Sequence, residues 1–153
     1  MSRVQLALNV SDLDAAVEIY SKLFATGPAK VRPGYANFAI SQPPLKLVLI
    51  EGHGQPGSLN HLGVEVEDTA QVGAAQARLA SEGMDPAAED GVTCCYAVQD
   101  KVWVDSPDGT PWEIYTVLAD AEMAPGDLRT VAPGADAGCC AVEQEVARPS
   151  PCC

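Results

Sequence analysis

Basic residues are scarce in this chain: 9 Lys and Arg stand against 21 Asp and Glu, for a formal net charge of -12 and a pI near 4.3. No Lys/Arg cluster offsets that balance locally, which makes nucleic acid and anionic membranes poor partners. Long apolar runs are lacking too. There is no stretch of about 18 apolar residues and no basic-then-apolar leader, since "MSRVQLALNVSDLD" already reads as a strand running into a helix. The expectation is a soluble, cytoplasmic protein. Its 153 residues suffice for one domain, or for two small repeated modules sharing a core.

Isolated cysteines are a third absence. All six occur as adjacent pairs, Cys94-Cys95, Cys139-Cys140 and Cys152-Cys153. Neighbouring Cα atoms lie about 3.8 Å apart, short of the roughly 4.4–6.8 Å a relaxed disulfide prefers, so a bridge within a pair would be strained. Bridges between pairs run against the reducing compartment expected here. Two neighbouring thiols are suited to sharing one soft, thiophilic centre. In a regular strand neighbours point to opposite faces, so the segment from Thr93 to Tyr96 is expected to form a loop or bulge.

What is present is a repeat. "QLALNVSD" (5–12) aligns with "HLGVEVED" (61–68) at an offset of 56, matching Leu6, Val10 and Asp12 with Leu62, Val66 and Asp68. A helix pattern follows each copy. The first has Leu13, Val17, Tyr20 and Phe24 at helical spacing, Asp12 as N-cap and Gly27 as stop; the second starts at Asp68, carries Val72 and Leu79, and stops at Gly83. Strand-like "AKVR", "YANFAI" and "LKLVLI" follow in the first half. In the second come a stretch from about Ala87, then "YAVQDKVWVD" and "PWEIYTV". The fold class is therefore α+β, two tandem βαβββ modules of about 1–51 and 58–118 forming a curved, open, barrel-like cleft within one domain, 1–118. Residues 119–153, rich in Ala, Pro, Gly and acidic residues, read as a mostly disordered tail bearing Cys139, Cys140, Cys152 and Cys153.

Gln5 and His61 occupy the same place in the two copies, the first residue of the opening strand, and Glu113 sits in the closing strand. An amide oxygen, an imidazole and a carboxylate can converge in one cleft as a metal site one ligand short of closed, which leaves positions for chemistry. The plainer alternatives stay open: a hydrogen-bonded strand histidine, a polar strand glutamine, a solvent-facing glutamate. His53 reads as a surface loop residue and Glu51 as a turn residue that could be a further ligand. Beyond Tyr96, Tyr115 and carboxylates there is no obvious general acid or base, and none is assigned.

The tandem module, together with "WVDSPDGTPWEIY", resembles the vicinal oxygen chelate (glyoxalase-bleomycin resistance-dioxygenase) superfamily. Within it, "LKLVLIEGHGQPGSLNHLGVEVED" and the cysteine pair of "GVTCCYAVQDKVWVDSPDGTPWEIY" are similar to the ArsI carbon-arsenic lyases, a group that includes cadmium-induced proteins. The likeness covers about residues 1–118. It implies a mononuclear non-haem Fe(II) site on Gln5, His61 and Glu113, which Ni, Co or Mn could occupy as surrogates, with Cys94 and Cys95 binding a trivalent organoarsenical. In many relatives His stands where Gln5 does here, and a neutral amide oxygen is the weaker donor.

The resemblance implies an Fe(II)- and O2-dependent lyase that cleaves methylarsonous acid and trivalent aromatic arsenicals to arsenite, a detoxifying reaction. Two alternatives remain: a non-catalytic arsenite- or cadmium-binding protein, and another enzyme of the superfamily such as an extradiol dioxygenase. The tail pairs Cys139-Cys140 and Cys152-Cys153 could bind metalloid as well.

Overall fold

Two β-α-β-β-β units follow one another in the computed structural model, which describes residues 2–122. The first comprises β1 (Arg3–Val10), α1 (Leu13–Phe24), β2 (Lys30–Arg32), β3 (Tyr35–Ile40) and β4 (Leu45–Glu51). The second comprises β5 (Leu59–Glu65), α2 (Thr69–Ser81), β6 (Ala87–Cys94), β7 (Ala97–Asp105) and β8 (Pro111–Asp120). Among the described residues no helix is long and apolar enough to cross a membrane. The tail cysteines lie outside the described residues.

Both helices start on an aspartate cap, Asp12 Oδ1 accepting from Ala15 N at 2.9 Å and Asp68 Oδ1 from Gln71 N at 2.9 Å. The end of α1 differs from the expected Gly27. Ala25 already adopts the left-handed conformation (φ 51°), and Thr26 N–H closes back on Ser21 O at 3.2 Å. Gly83 does end α2, at φ 81°. Two strand bounds also move. β1 and β5 begin two residues earlier than expected, β1 because Arg3 pairs with Glu65 across the ladder and joins it in an ion pair, and β5 because Leu59 pairs with Leu8, so Gln5 and His61 are third in their strands. β8 continues past 118 to Asp120, which pairs with Ala97 and binds the Lys30 ammonium.

All eight strands form one sheet in the order β2-β3-β4-β1-β5-β8-β7-β6. The order is symmetric about the central β1/β5 pair, each strand of one module mirrored by its counterpart in the other. The antiparallel ladder obeys the same symmetry: Gln5 pairs with Gly63 and Ala7 with His61, and exchanging each residue for its counterpart 56 positions away in the other module turns one pair into the other. Strand alternation then sorts the side chains. Leu6, Leu8 and Val10 face the helix side, packed with Leu13, Phe38, Leu47 and Leu49 under α1. Gln5, Ala7 and Asn9 face the opposite, concave side.

The sheet curls until its far edges touch. Lys30 on β2 donates to the carbonyl of Tyr96, in the turn between β6 and β7, at 3.0 Å. The Tyr96 hydroxyl donates to Pro33 O at 3.0 Å, and its ring lies 5.5 Å from that of Tyr35. These contacts join the two ends of the strand order and enclose the space over the concave face. Tyr96→Phe removes one buried closing hydrogen bond while keeping the ring. Urea denaturation should show a loss of about 1 kcal/mol; unchanged stability would mean the edges do not depend on it.

Candidate functional site

Three polar side chains meet on the concave face at the centre of the sheet. Gln5 Nε2 lies 3.0 Å from His61 Nε2 and 2.6 Å from Glu113 Oε1, and His61 Nε2 lies 3.4 Å from the same carboxylate oxygen. All three residues are buried. Their convergence follows from register: Gln5 on β1 and Glu113 on β8 flank Gly63 on β5. A Cβ at Gly63 would stand 3.0 Å from Glu113 Cγ and 3.3 Å from Gln5 Nε2, so the missing side chain is the space through which its neighbours approach.

The surrounding residues orient each group. Asn60 Oδ1 accepts from His61 Nδ1 at 2.7 Å, while Asn60 Nδ2 donates to Asn9 Oδ1 at 3.0 Å and Asn9 Nδ2 donates to Ser58 Oγ at 2.9 Å. With Nδ1 carrying the proton, Nε2 presents its lone pair to the cluster. Trp103 stands edge-on to His61 with ring centroids 5.5 Å apart. Lys101 Nζ holds Glu113 Oε2 at 3.1 Å, leaving Oε1 turned to the other two groups. Burial pushes the Glu113 carboxyl up, but the Lys101 ammonium beside it pulls the other way, and the group stays well below the ordinary carboxylate range. Burial, reinforced by Glu113, raises Tyr115, so its hydroxyl stays protonated; it meets Gln5 Oε1 at 2.5 Å.

This donor set fits a divalent cation. The His61 lone pair and Glu113 Oε1 face one another as two acceptors, an opposition that a positive ion relieves. Ligands at right angles on bonds of about 2.1 Å sit about 3 Å apart, the scale of the spacings here. The Tyr115 hydroxyl can donate or accept, so the Gln5 amide can turn over and offer its oxygen to the cluster. No group of three His, Cys, Asp or Glu occurs at metal-binding spacing among the described residues, so a site here needs the Gln5 amide. The pseudo-twofold defines a fourth inward position. Gly63 pairs with Glu113 and its counterpart Ala7 pairs with Val48, which makes Val48 the counterpart of Glu113. An apolar side chain there cannot coordinate, and that side stays open.

The loop expected from Thr93 to Tyr96 is shorter than that: Thr93 and Cys94 stay in the β6 ladder, paired with Val98 and Ala97, and only Cys95 and Tyr96 leave it. Cys94 ends β6, paired with Ala97 of β7, and Cys95-Tyr96 is the whole turn between them. Both turn residues have positive φ, 56° and 62°, as a type I′ hairpin requires, though neither is Gly or Asn. Such backbone costs on the order of 1–3 kcal/mol per residue and persists only where neighbours over-determine it; the edge contacts of Tyr96 do so here. The outcome is that both sulfurs fall on one side, Sγ to Sγ 3.0 Å and not bonded. Cys94 is buried and Cys95 half-buried. Both line the chamber that Gln5, His61, Glu113 and Val48 line.

Gln5, His61, Glu113, Cys94 and Cys95 are thus brought to one chamber. Glu51 is not: its carboxylate accepts from Leu13 N at 3.0 Å, at the start of α1. His53 is half-buried in the connection between modules. Sequence reasoning passed over Asn60, Gly63 and Lys101. Lys101 did leave a trace, a charge sharing strand parity with Trp103 just ahead of the apolar Val102–Val104 stretch; the others announce themselves only through register.

Comparison with known proteins places these residues in context. Residues 3–114 match the Glyoxalase/Bleomycin resistance protein/Dioxygenase superfamily. A trivalent organoarsenical cleaving enzyme of Thermomonospora curvata is 61% identical over 141 residues, 92% of this chain and 89% of that protein. The cadmium-induced protein CadI of Mycobacterium tuberculosis is 62% identical over 122 residues, 80% of each chain. Among solved structures, the Mn(II)-bound glyoxalase from Novosphingobium aromaticivorans is similar at a TM-score of 0.56 and 21% identity, covering 84% of this chain and 43% of that one.

The Glu113 surroundings set a pH signature. A carboxyl held below its ordinary value of about 4.3 adds stability that is full above that value and lost as pH falls through the folded-state titration. Glu113→Gln, which also leaves Lys101 without its carboxylate, should be less stable than the parent near pH 7, the gap narrowing from pH 5 to pH 3 in chemical denaturation. A gap independent of pH would contradict the electrostatic account.

Proposed function

The chain belongs to the Glyoxalase/Bleomycin resistance protein/Dioxygenase superfamily, and on that premise we propose that it cleaves the carbon–arsenic bond of trivalent organoarsenicals, with Fe(II) and O2, releasing arsenite. Methylarsonous acid and trivalent aromatic arsenicals are the substrates, and arsenic detoxification is the role. One observation carries the reading: a soft dithiol and the amide, imidazole and carboxylate of Gln5, His61 and Glu113 line the same chamber. The 61% identity to a protein named for organoarsenical cleavage supports it.

Gln5, His61 and Glu113 would hold the metal, by the amide oxygen, Nε2 and Oε1. Bound there, Fe(II) would supply the binding and activation of dioxygen. The protein's own contribution is placement. Cys94 and Cys95 grip arsenic through two sulfurs on one side of a hairpin, directing its organic carbon toward the cluster, and a tethered reactant turns a bimolecular encounter into a unimolecular one. Val48 leaves its side of the cluster open. Tyr35 and Trp103 wall the chamber and limit water. Lys101 fixes Glu113, and Asn60 fixes the His61 tautomer. The net charge of -12 does not repel a neutral arsenous acid.

The mycobacterial relatives named cadmium-induced protein favour a second reading, in which the thiol pairs sequester soft metal without turnover. The two readings part under mutation. Protein loaded anaerobically with Fe(II), then given air and methylarsonous acid, should release inorganic arsenite. Cys94→Ser or Cys95→Ser should lower that rate at least about a hundredfold, while serine at Cys139, Cys140, Cys152 and Cys153 together should spare it. No arsenite above the metal-free control would overturn the lyase reading and leave sequestration.

Gly63→Ala tests the metal cluster by itself. Crowding Glu113 and Gln5 should weaken Mn(II) or Co(II) binding about tenfold or more in calorimetric titration. Unchanged affinity would place the ion elsewhere.

A further inference from the structure

Gln99 is 6% exposed, and its Oε1 is a buried side-chain oxygen without a hydrogen-bond partner among the described residues. An orphaned buried acceptor lowers stability, so its retention calls for a ligand or a role. Its place is informative. On β7, Ala97 pairs with Cys94 and Lys101 holds Glu113, and Gln99 lies between them, at the midpoint from thiol pair to metal cluster.

Two chambers share Gln99 as wall. The inner one, lined by both cysteines and by Gln5, His61 and Glu113, is the narrower, with a volume of about 20 Å³. The outer one, over Arg3, Lys30 and Glu65, has about 190 Å³. Cys95 and Gln99 line both; Cys94 lines only the inner. A trivalent arsenical arrives with arsenic, two hydroxyls and an organic group, and the outer chamber offers it the roomier entry.

We propose that the outer chamber is a receiving subsite, where a trivalent arsenical R–As(OH)2 first bonds to Cys95 while Gln99 Oε1 accepts a hydrogen bond from the arsenic hydroxyl still in place. The proposal rests on the reading above that the twin sulfurs take arsenic. In the first step the Cys95 sulfur forms As–S as one As–O bond breaks, and the thiol proton leaves with the hydroxide as water, giving R–As(OH)(S–Cys95). In the second, the Cys94 thiol displaces the remaining hydroxyl as a second water, giving R–As(S–Cys94)(S–Cys95). Arsenic stays trivalent throughout. The Gln99 hydrogen bond exists only in the half-loaded state, so it accelerates loading and adds nothing to the affinity of the finished dithiolate.

The test uses the metal-free full chain with its four tail cysteines replaced by serine, so that arsenite release plays no part. Phenylarsonous acid is mixed with it in stopped flow and Trp fluorescence is followed, Trp103 lining the inner chamber. The comparison probe is the ethane-1,2-dithiol adduct of phenylarsenic(III), which has no arsenic hydroxyl. Gln99→Leu should slow the first phase about tenfold with phenylarsonous acid, leave the adduct's rate unchanged, and keep or raise the melting temperature, since an orphaned oxygen is removed. Cys94→Ser should retain the fast phase and Cys95→Ser lose it. Equal effects of Gln99→Leu on both probes, or no effect on either, would overturn the role of Gln99. A fast phase that survives Cys95→Ser and vanishes in Cys94→Ser would overturn the order. Absence of arsenical binding by the parent would overturn this proposal with the dithiol grip, whereas loading without later arsenite release would overturn the lyase reading alone.

Discussion

The contact between the two far edges of the sheet is the constraint on which the rest of the structure depends. Eight strands left open would present Gln5, His61 and Glu113 to solvent on a shallow surface. Tyr96, packed against Tyr35 and bonded to Pro33, together with Lys30 on the Tyr96 carbonyl, folds the β6–β7 hairpin over that surface. The same contacts stabilise two successive residues in a conformation that side chains disfavour. Closure and cysteine geometry are therefore one problem with one solution: the residues that seal the chamber also bend the backbone so that adjacent sulfurs face the same way.

Symmetry explains the meeting of Gln5, His61 and Glu113, and departures from it explain why the set is incomplete. A twofold-related pair of modules offers four equivalent inward positions, here Gln5, His61, Val48 and Glu113. Three carry donors of different kinds and one is apolar. A fully symmetric filling would enclose an ion; this filling leaves one side for an outside molecule. Gly63 and its counterpart Ala7 keep side-chain bulk low on the two central strands, and only the glycine sits where Gln5 and Glu113 must approach.

Much of this was legible in the sequence. The offset of 56 that aligned "QLALNVSD" with "HLGVEVED" is the symmetry of the β1/β5 ladder, which is why pairing Gln5 with His61 survived into three dimensions. That two adjacent sulfurs on one side need a break in the strand was also legible, though the break begins only at Cys95, after Cys94 has ended β6. Glu113 could be named, but its burial could not, because alternation alone does not say which face of β8 a curling sheet encloses. Asn60 and Gly63 were illegible because Asn9, which holds Asn60, and Gln5 and Glu113, which crowd over Gly63, lie about 50 or more residues away, and register across a sheet leaves no local mark. The end of α1 was missed on a smaller scale, because a glycine signal two residues downstream outweighed the left-handed Ala25.

The central claim is that one chamber holds both a thiol-bound arsenic atom and a metal ion. Crystals of the full chain, grown anaerobically with Fe(II) and soaked with phenylarsonous acid, can be measured at the arsenic and iron absorption edges. The anomalous maps should show arsenic bonded to both Cys94 and Cys95 sulfurs and iron bonded to Gln5, His61 and Glu113, with unobstructed space between them. Arsenic bound outside the chamber, or iron on any other residues, would contradict it.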